Sequence, residues 1–375
     1  MGGGVRTQTT NPKTSLQNNN PKTINQSDTN LNIIQQSKQL PKSATHTPYH
    51  FHIITDGISH AIQTRLNTLK NTLCKSYPCE ISIHTFDDSI FRGTKKWGQE
   101  SQNYLANFRL FLGQVVPKNA TKCLYLDTDM LALSDIRELF EVDLGECILG
   151  ANTGVVGADW TNWRLKFERV SDGKKREFFV PYYFCSGLLL INMPKWHAYD
   201  MGAKCVDFIQ NYHPGCPDQD ALNVCVQDKL FVLPLEYGLA MWQSAMELAK
   251  PNSPLATQIQ EHIKRVKIVH FNSPAHPWLS KYRFLGDEFL PFDYPLTDKW
   301  WEIALATPEF GKDLQEIYSK INDPKTMLDA YIEGVSQRMK HLQAQVDKIA
   351  YKQKKPLHYL AKKLVNSLRK RFKRV

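Results

Sequence analysis

The stretch at residues 122–132, Lys-Cys-Leu-Tyr-Leu-Asp-Thr-Asp-Met-Leu-Ala, constrains the fold more than any other. Leu124, Tyr125 and Leu126 form a short apolar run, as in a strand covered on both faces. The run ends in Asp127 and Asp129, which in an extended chain project to the same side around Thr128. Two hard oxygen ligands at one strand end suit Mg²⁺ or Mn²⁺. The flanking pattern supplies the sheet such a strand needs. Residues 49–55 alternate and are β-branched, residues 58–74 carry Ile62, Leu66, Leu69 and Leu73 at helical spacing, and residues 80–86 read as a second strand. Residues 104–116 read as a helix bearing Arg109. Strands alternating with helices predict an α/β sheet with parallel pairs. In such sheets ligands sit beyond the carboxyl ends of strands, where Asp127 and Asp129 lie.

Downstream, Ser134 is a candidate cap for a short helix over 135–140, and residues 147–151 form another apolar strand. Residues 157–180, charged and aromatic, read as an insertion or a loop over the site. In the block Tyr183-Phe184-Cys185-Ser186-Gly187 a Ser-Gly turn feeds the apolar strand that ends at Asn192. Residues 196–212 should be helical. Asp218-Gln219-Asp220 then opens the next helix, where simple capping is the plain structural role for Asp218. The last strand, 267–271, carries His270 into a loop with Ser273, His276 and Trp278. Two aspartates that lack a third protein ligand make His270 a candidate for it.

No run of about 18 apolar residues predicts a membrane span. Residues 1–48 are polar, lack the apolar core of a secretory signal and read as a disordered leader. The eight cysteines are scattered without Cys-x-x-Cys spacing, which fits reduced packing residues of a cytosolic protein better than a disulfide framework or zinc site. The net charge of +10 resides in one place: residues 351–375 carry ten Lys/Arg and no Asp/Glu. A body that is near neutral argues against a nucleic-acid partner. In residues 325–350, Leu328, Ile332, Val335, Met339, Leu342, Val346 and Ile349 repeat at spacings of four and three. That is either the seam of a short coiled coil, a homo-oligomer contact through 328–349, or a helix laid on the body. Beyond Pro356, Leu357, Leu360, Leu364, Leu368 and Phe372 share one helical face against Lys and Arg on the other, the pattern of a helix that binds an anionic membrane surface.

With these residues in view, the chain resembles the family 8 glycosyltransferases, the group containing bacterial lipopolysaccharide galactosyl- and glucosyltransferases. Four blocks carry the resemblance in order: Leu124 to Asp129, Tyr183 to Asn192, Asp218 to Asn223, and His270-Phe271 leading to His276-Pro277-Trp278. It runs from about residue 49 to 278 and resumes in the basic tail. It implies a nucleotide-diphosphosugar-transferase (GT-A type) α/β fold, a mixed sheet flanked by helices, over residues 49–300. A helical extension at 301–350 and a membrane-associating tail at 351–375 would follow. It implies that Asp127, Asp129 and His270 bind Mn²⁺ (or Mg²⁺) and through it the pyrophosphate of a UDP-hexose donor. Arg109, Thr128, Cys185, Ser186, Asp218, Gln219, Ser273, His276 and Trp278 would form the substrate site, with Gln219 and Asp218 nearest the chemistry. The acceptor would be a lipid-linked oligosaccharide at the inner face of the cytoplasmic membrane, and transfer would retain configuration.

Three departures matter. Residues 49–59 match what is usually the second strand of the family, and residues 1–48 hold no good counterpart of the first, whose acidic turn holds uracil and ribose. Cys185 stands where the family usually has Asn, and a thiol is a weak hydrogen-bonding group. His276 stands where a lysine usually touches pyrophosphate. Two readings stay open: an active hexosyltransferase, or a truncated or catalytically impaired relative that acts at most as a membrane-associated binding protein.

Overall fold

The computed structural model describes residues 48–96, 104–279, 282–285, 288–291 and 294–354. β1 (Tyr49–Thr55) and β2 (Cys79–Thr85) pair in parallel, Tyr49 opposite Cys79 and Thr55 opposite Thr85. The crossover between them is α1 (His60–Leu73), which begins where Ser59 Oγ accepts the Ile62 N–H. β3 (Lys122–Leu126) and β4 (Met130–Ala132) follow, then β5 (Leu149–Ala151). Next come β6 (Thr161–Glu168), β7 (Lys175–Tyr182) and β8 (Leu188–Asn192). The order in the central sheet is β3, β8, β5 and then Leu230–Val232, which is β9. β8 runs antiparallel to both neighbours, and β5 pairs with β9 in parallel. A third sheet joins β10 (Tyr237–Ala240), β11 (Ile268–His270) and β4, with β11 parallel to β10 and antiparallel to β4. The architecture is mixed α/β, and among the described residues parallel pairing is confined to β1–β2, β5–β9 and β10–β11.

The core lies where β8 is covered on both faces. Leu189, Leu190 and Ile191 are fully buried, as a run of four apolar residues in a central strand requires. Among the described residues, β1 pairs only with β2 and β3 only with β8. The two-stranded pair is tied to the body by Phe86, which stacks on Phe111 at 4.8 Å and meets Phe108 edge-on at 6.2 Å. All eight cysteines are free thiols. No helix of the described residues is long and apolar enough to cross a membrane.

Local structure departs from the sequence expectations in four places, each with a local cause. Residues 104–116 form a 3₁₀ helix, Leu105–Phe111, followed by the single α-turn Leu112–Val115. Arg109 Nε takes the Ala106 carbonyl (2.9 Å), an acceptor an α-helix would use itself. Ser134 does not cap a helix at 135–140; Asp135 accepts the Arg137 N–H in a tight turn, and the helix is Glu138–Glu141. Residues 157–180 are not a loop, since β6 and β7 form an antiparallel hairpin. Trp163, Leu165 and Phe167 face inward while Arg164, Lys166 and Glu168 face water, the period-two pattern of a half-buried strand. The single helix expected over 196–212 is two: α2 (Met193–Ala198) and α3 (Met201–Asn211), broken at Asp200, whose φ is +49°.

The helix Pro217–Val226, here α4, opens on the polar block expected to start it, and the helix Pro324–Lys354, here α5, lies where periodicity predicts it. On α5, Leu328, Ile332, Met339, Leu342, Val346 and Ile349 are all exposed. The leader over 1–47 and the amphipathic stretch over 355–375 lie outside the described residues.

α3 reaches the 3₁₀ helix through Gly202, where a Cβ would stand 2.5 Å from the Leu110 carbonyl oxygen. The Gly202→Ala variant is therefore expected to lose about 1–3 kcal/mol through overpacking. Urea denaturation measures it, and an unchanged midpoint would disprove the close approach.

Candidate metal centre

β3 delivers Asp127 and the turn after it delivers Asp129. The two carboxylates do not converge by strand alternation, as the sequence pattern predicts, because Met130 N–H bonds the Asp127 carbonyl (3.1 Å) and curls the backbone. Two further backbone bonds hold this turn: Asp127 N–H to the Gly187 carbonyl (2.8 Å) and Phe271 N–H to the Asp129 carbonyl (2.9 Å). In the β4–β11 ladder Met130 stands opposite His270. That register carries a histidine from far along the chain to the aspartates. His270 Nε2 lies 3.1 Å from Asp129 Oδ1 and 3.8 Å from Asp127 Oδ2. One ligand atom from each of the three residues falls within 4.8 Å of the others. Neighbouring ligands about 2.1 Å from an octahedral Mg²⁺, and slightly further from Mn²⁺, stand roughly 3 Å apart, so the set fits such an ion. Asp129 Oδ1 is buried and meets no donor in good hydrogen-bond geometry, its nearest neighbour being the His270 imidazole at 3.1 Å, which leaves it open to a cation.

The centre is built around a buried guanidinium. Arg109 is 5% exposed. Its Nη2 donates to Asp127 Oδ1 (2.8 Å), its Nη1 to the Ser186 carbonyl (2.6 Å) and Oγ (3.0 Å), and its Nε lies 3.1 Å from Asp218 Oδ2. The Tyr125 hydroxyl also donates to Asp127 Oδ1 (2.7 Å). One oxygen of Asp127 is thus spent on protein, and the other faces His270. Burial raises the Asp127 carboxyl above its ordinary range, against the pull of Arg109 and His270. Burial also opposes ionisation of Asp129, but His270 and His276 outweigh it and hold that carboxyl well below its usual range. Burial would lower His270, yet the Asp129 carboxylate and the Cys185 thiol lift it to about 10.

The Tyr183–Gly187 turn closes the other side. Gly187 is required by contact: a Cβ there would stand 2.5 Å from His270 Cε1 and 2.9 Å from Nδ1. Cys185 Sγ lies 3.8 Å from His270 Nδ1, so it backs the imidazole. α4 presents Asp218, Gln219, Asp220 and Asn223 to this turn. Asp218, 2% exposed, does not cap the helix; it accepts from Ser186 Oγ (3.0 Å) and pairs with Arg109. The Gln219 amide is engaged at both ends: Oε1 accepts the Ser186 N–H (3.1 Å) and Nε2 donates to the Tyr183 hydroxyl (3.0 Å). That hydroxyl donates to Asp220 Oδ1 (2.6 Å). Asn223 grips both backbone groups of Phe184. His276 Nε2 reaches Asp129 Oδ2 (3.1 Å), and its ring stacks on Trp278 at 4.8 Å. Thr128 and Ser273 are exposed. The sequence pattern assigns no role to Tyr125, Tyr183, Asp220 or Asn223, although all four stand inside the four blocks that carry the resemblance.

Residues 14–282 match the sequence profile described as Glycosyl transferase family 8. General stress protein A of Bacillus subtilis (strain 168) is 29% identical over 203 residues, covering 52% of this chain and 66% of that one. Lipopolysaccharide 1,3-galactosyltransferase of Salmonella typhimurium (strain LT2) is 24% identical over 272 residues, covering 71% and 74%. Among solved structures, the bifunctional glycosyltransferase WbbM superposes with a TM-score of 0.50 at 18% identity, covering 74% of this chain and 52% of that one. The chain thus spans just under two thirds of the Bacillus protein and about half of WbbM. At that identity the superposition is a likeness of fold.

Replacing Arg109 with Leu leaves Asp127 and Asp218 buried without their cation, with an expected cost of about 3–5 kcal/mol in denaturant unfolding. The Gly187→Ala variant displaces His270 and should weaken Mn²⁺ binding about tenfold or more by calorimetry. Full Mn²⁺ affinity in Gly187→Ala would exclude the imidazole from the ligand set.

Proposed function

Because the chain belongs to glycosyl transferase family 8, we propose that it transfers a hexose, galactose or glucose, from a UDP-sugar to a lipopolysaccharide core oligosaccharide with retention of configuration. The observation that carries this reading is the convergence of Asp127, Asp129 and His270. A divalent cation held there, Mn²⁺ or Mg²⁺, offsets the negative charge that develops on a departing diphosphate.

The chain's own residues do the rest. Arg109 holds Asp127 and Asp218 in fixed positions, so neither carboxylate reorganises as charge develops. Gln219 presents an amide whose two ends are already engaged, and a neutral amide oxygen is a poor nucleophile. Asp218 is bound to Ser186 and Arg109, which stabilise its charge and reduce its nucleophilicity. These constraints favour attack by the acceptor hydroxyl on the face the diphosphate leaves. Asp218 and Gln219 then steady the positive charge at the anomeric carbon. Trapping a covalent glycosyl adduct on Asp218 would overturn this order of events.

The second reading, an impaired relative, draws on the edges of β1 and β3 that find no further strand among the described residues. The basic tail over 351–375 is assigned to an anionic membrane surface at the cytoplasmic face, at roughly 1 kcal/mol per basic residue near the lipid. The exposed α5 seam is assigned to self-association.

Hydrolysis of UDP-galactose and UDP-glucose with Mn²⁺ separates the two readings. The wild-type chain should hydrolyse one of them, and the Asp127→Ala/Asp129→Ala variant should lose at least about a hundredfold. A folded wild-type chain that hydrolyses neither belongs to the second reading.

A further inference from the structure

The turn from α1 into β2 brings two thiols into contact. Cys74 closes α1, its N–H donating to the Lys70 carbonyl (2.9 Å), and Cys79 opens β2 opposite Tyr49. Their sulfurs stand 3.5 Å apart, and Cys74 Sγ donates to the Cys79 carbonyl (3.0 Å). Cys74 is exposed, whereas Cys79 is buried. The turn is held by its own backbone. The N–H groups of Ser76 and Tyr77 both take the Leu73 carbonyl (2.9 and 3.0 Å), and the Tyr77 ring meets that of Tyr49 at 5.2 Å. The fold of the turn itself therefore sets the two sulfurs side by side.

We propose that Cys74 and Cys79 form a reversible redox site, at which a small aliphatic disulfide oxidises the two thiols to an intramolecular disulfide that latches the end of α1 to the start of β2. Exposure decides the order of events. Thiol–disulfide exchange begins with a thiolate. Burial and the hydrogen bond with Cys74 push the Cys79 thiol up to about 11, so it is neither reachable nor ionised at neutral pH. The exposed Cys74 attacks first. Its proton goes to solvent, its sulfur bonds one sulfur of the small disulfide, and one small thiolate leaves. Cys79 then gives up its proton, attacks the Cys74 sulfur and releases the second small thiol. Contact between the two sulfurs offsets the low thiolate fraction of Cys79, because the second step is intramolecular. In sum, two protein thiols become one disulfide, one small disulfide becomes two thiols, and no other oxidant is needed.

The latch has a use where it stands. A two-stranded sheet is marginal by itself, and among the described residues β1 and β2 pair only with each other. Phe86, just past one end of β2, is anchored by its stack on Phe111. The disulfide would fix the other end, at the rung where Tyr49 faces Cys79. Exposed disulfides are the labile, regulatory ones, so small thiols would open the latch again.

The test is mass spectrometry of the full chain after incubation with oxidised glutathione at about pH 8, where more of an exposed thiol is ionised. Remaining thiols are then blocked and the chain is digested with trypsin. Cleavage after Lys70, Lys75 and Arg92 puts Cys74 and Cys79 in separate peptides, 71–75 and 76–92, which stay joined only through a disulfide. In the wild-type chain the joined pair should be the major form of both peptides, and dithiothreitol should part them. Cys79→Ser should leave Cys74 as a lasting mixed disulfide with glutathione. In Cys74→Ser, Cys79 should be modified at least about tenfold less than Cys74 is in Cys79→Ser. Wild-type peptides that stay separate, as unmodified thiols or with glutathione persisting on Cys74, would overturn the proposal. So would a Cys79 that is modified as readily in Cys74→Ser as Cys74 is in Cys79→Ser.

Discussion

The interaction on which the rest depends is the clamp of Arg109 between Asp127 and Asp218. Taking three charges out of water costs several kcal/mol per ion, and the cost is met only when each finds close, well-directed partners. Here the guanidinium reaches two carboxylates, a hydroxyl and two carbonyls at once. The planar fork of arginine suits this role and a lysine does not, because one ammonium cannot bridge two acids and a carbonyl in fixed directions. The 3₁₀ helix over Leu105–Phe111 is part of the same solution. By spending the Ala106 carbonyl on its own side chain, Arg109 gives up regular helix to fix the direction of its fork.

The clamp has a second effect. With one oxygen of Asp127 committed to Arg109 and Tyr125, its other oxygen is left on the side of His270 and Asp129. Within this single carboxylate one oxygen is held by protein and the other faces the candidate ligands. Asp129 shows the same division, one oxygen toward His276 and one toward His270. A centre so arranged carries its charge imbalance in a defined place, which is where a divalent cation gains most.

Much of this was legible in one dimension. The strand into Asp127, the histidine of the last strand and the polar start of α4 each stand in short blocks whose residue types announce their chemistry. α1 and α5 follow from apolar spacing alone, because a helix is held by contacts within a few residues of each other. What periodicity misread has a local cause in each case. Asp135 made a turn where Ser134 promised a cap, Asp200 broke one apolar pattern into two helices, and the alternation of Trp163, Leu165 and Phe167 was masked by charge at 157–180.

By itself, the sequence determined which residues could bind a cation, where α1 and α5 run and that the body is near neutral with a basic end. Only the tertiary structure decided that His270 stands opposite Met130, that Arg109 serves two acids, that Tyr183 locks Gln219 and that Cys185 lies behind the imidazole. The physical reason is range. Side-chain pattern encodes what neighbours along the chain do, while these pairings join segments dozens of residues apart. They exist only once β8 and β11 have chosen their registers and the loops between have been closed.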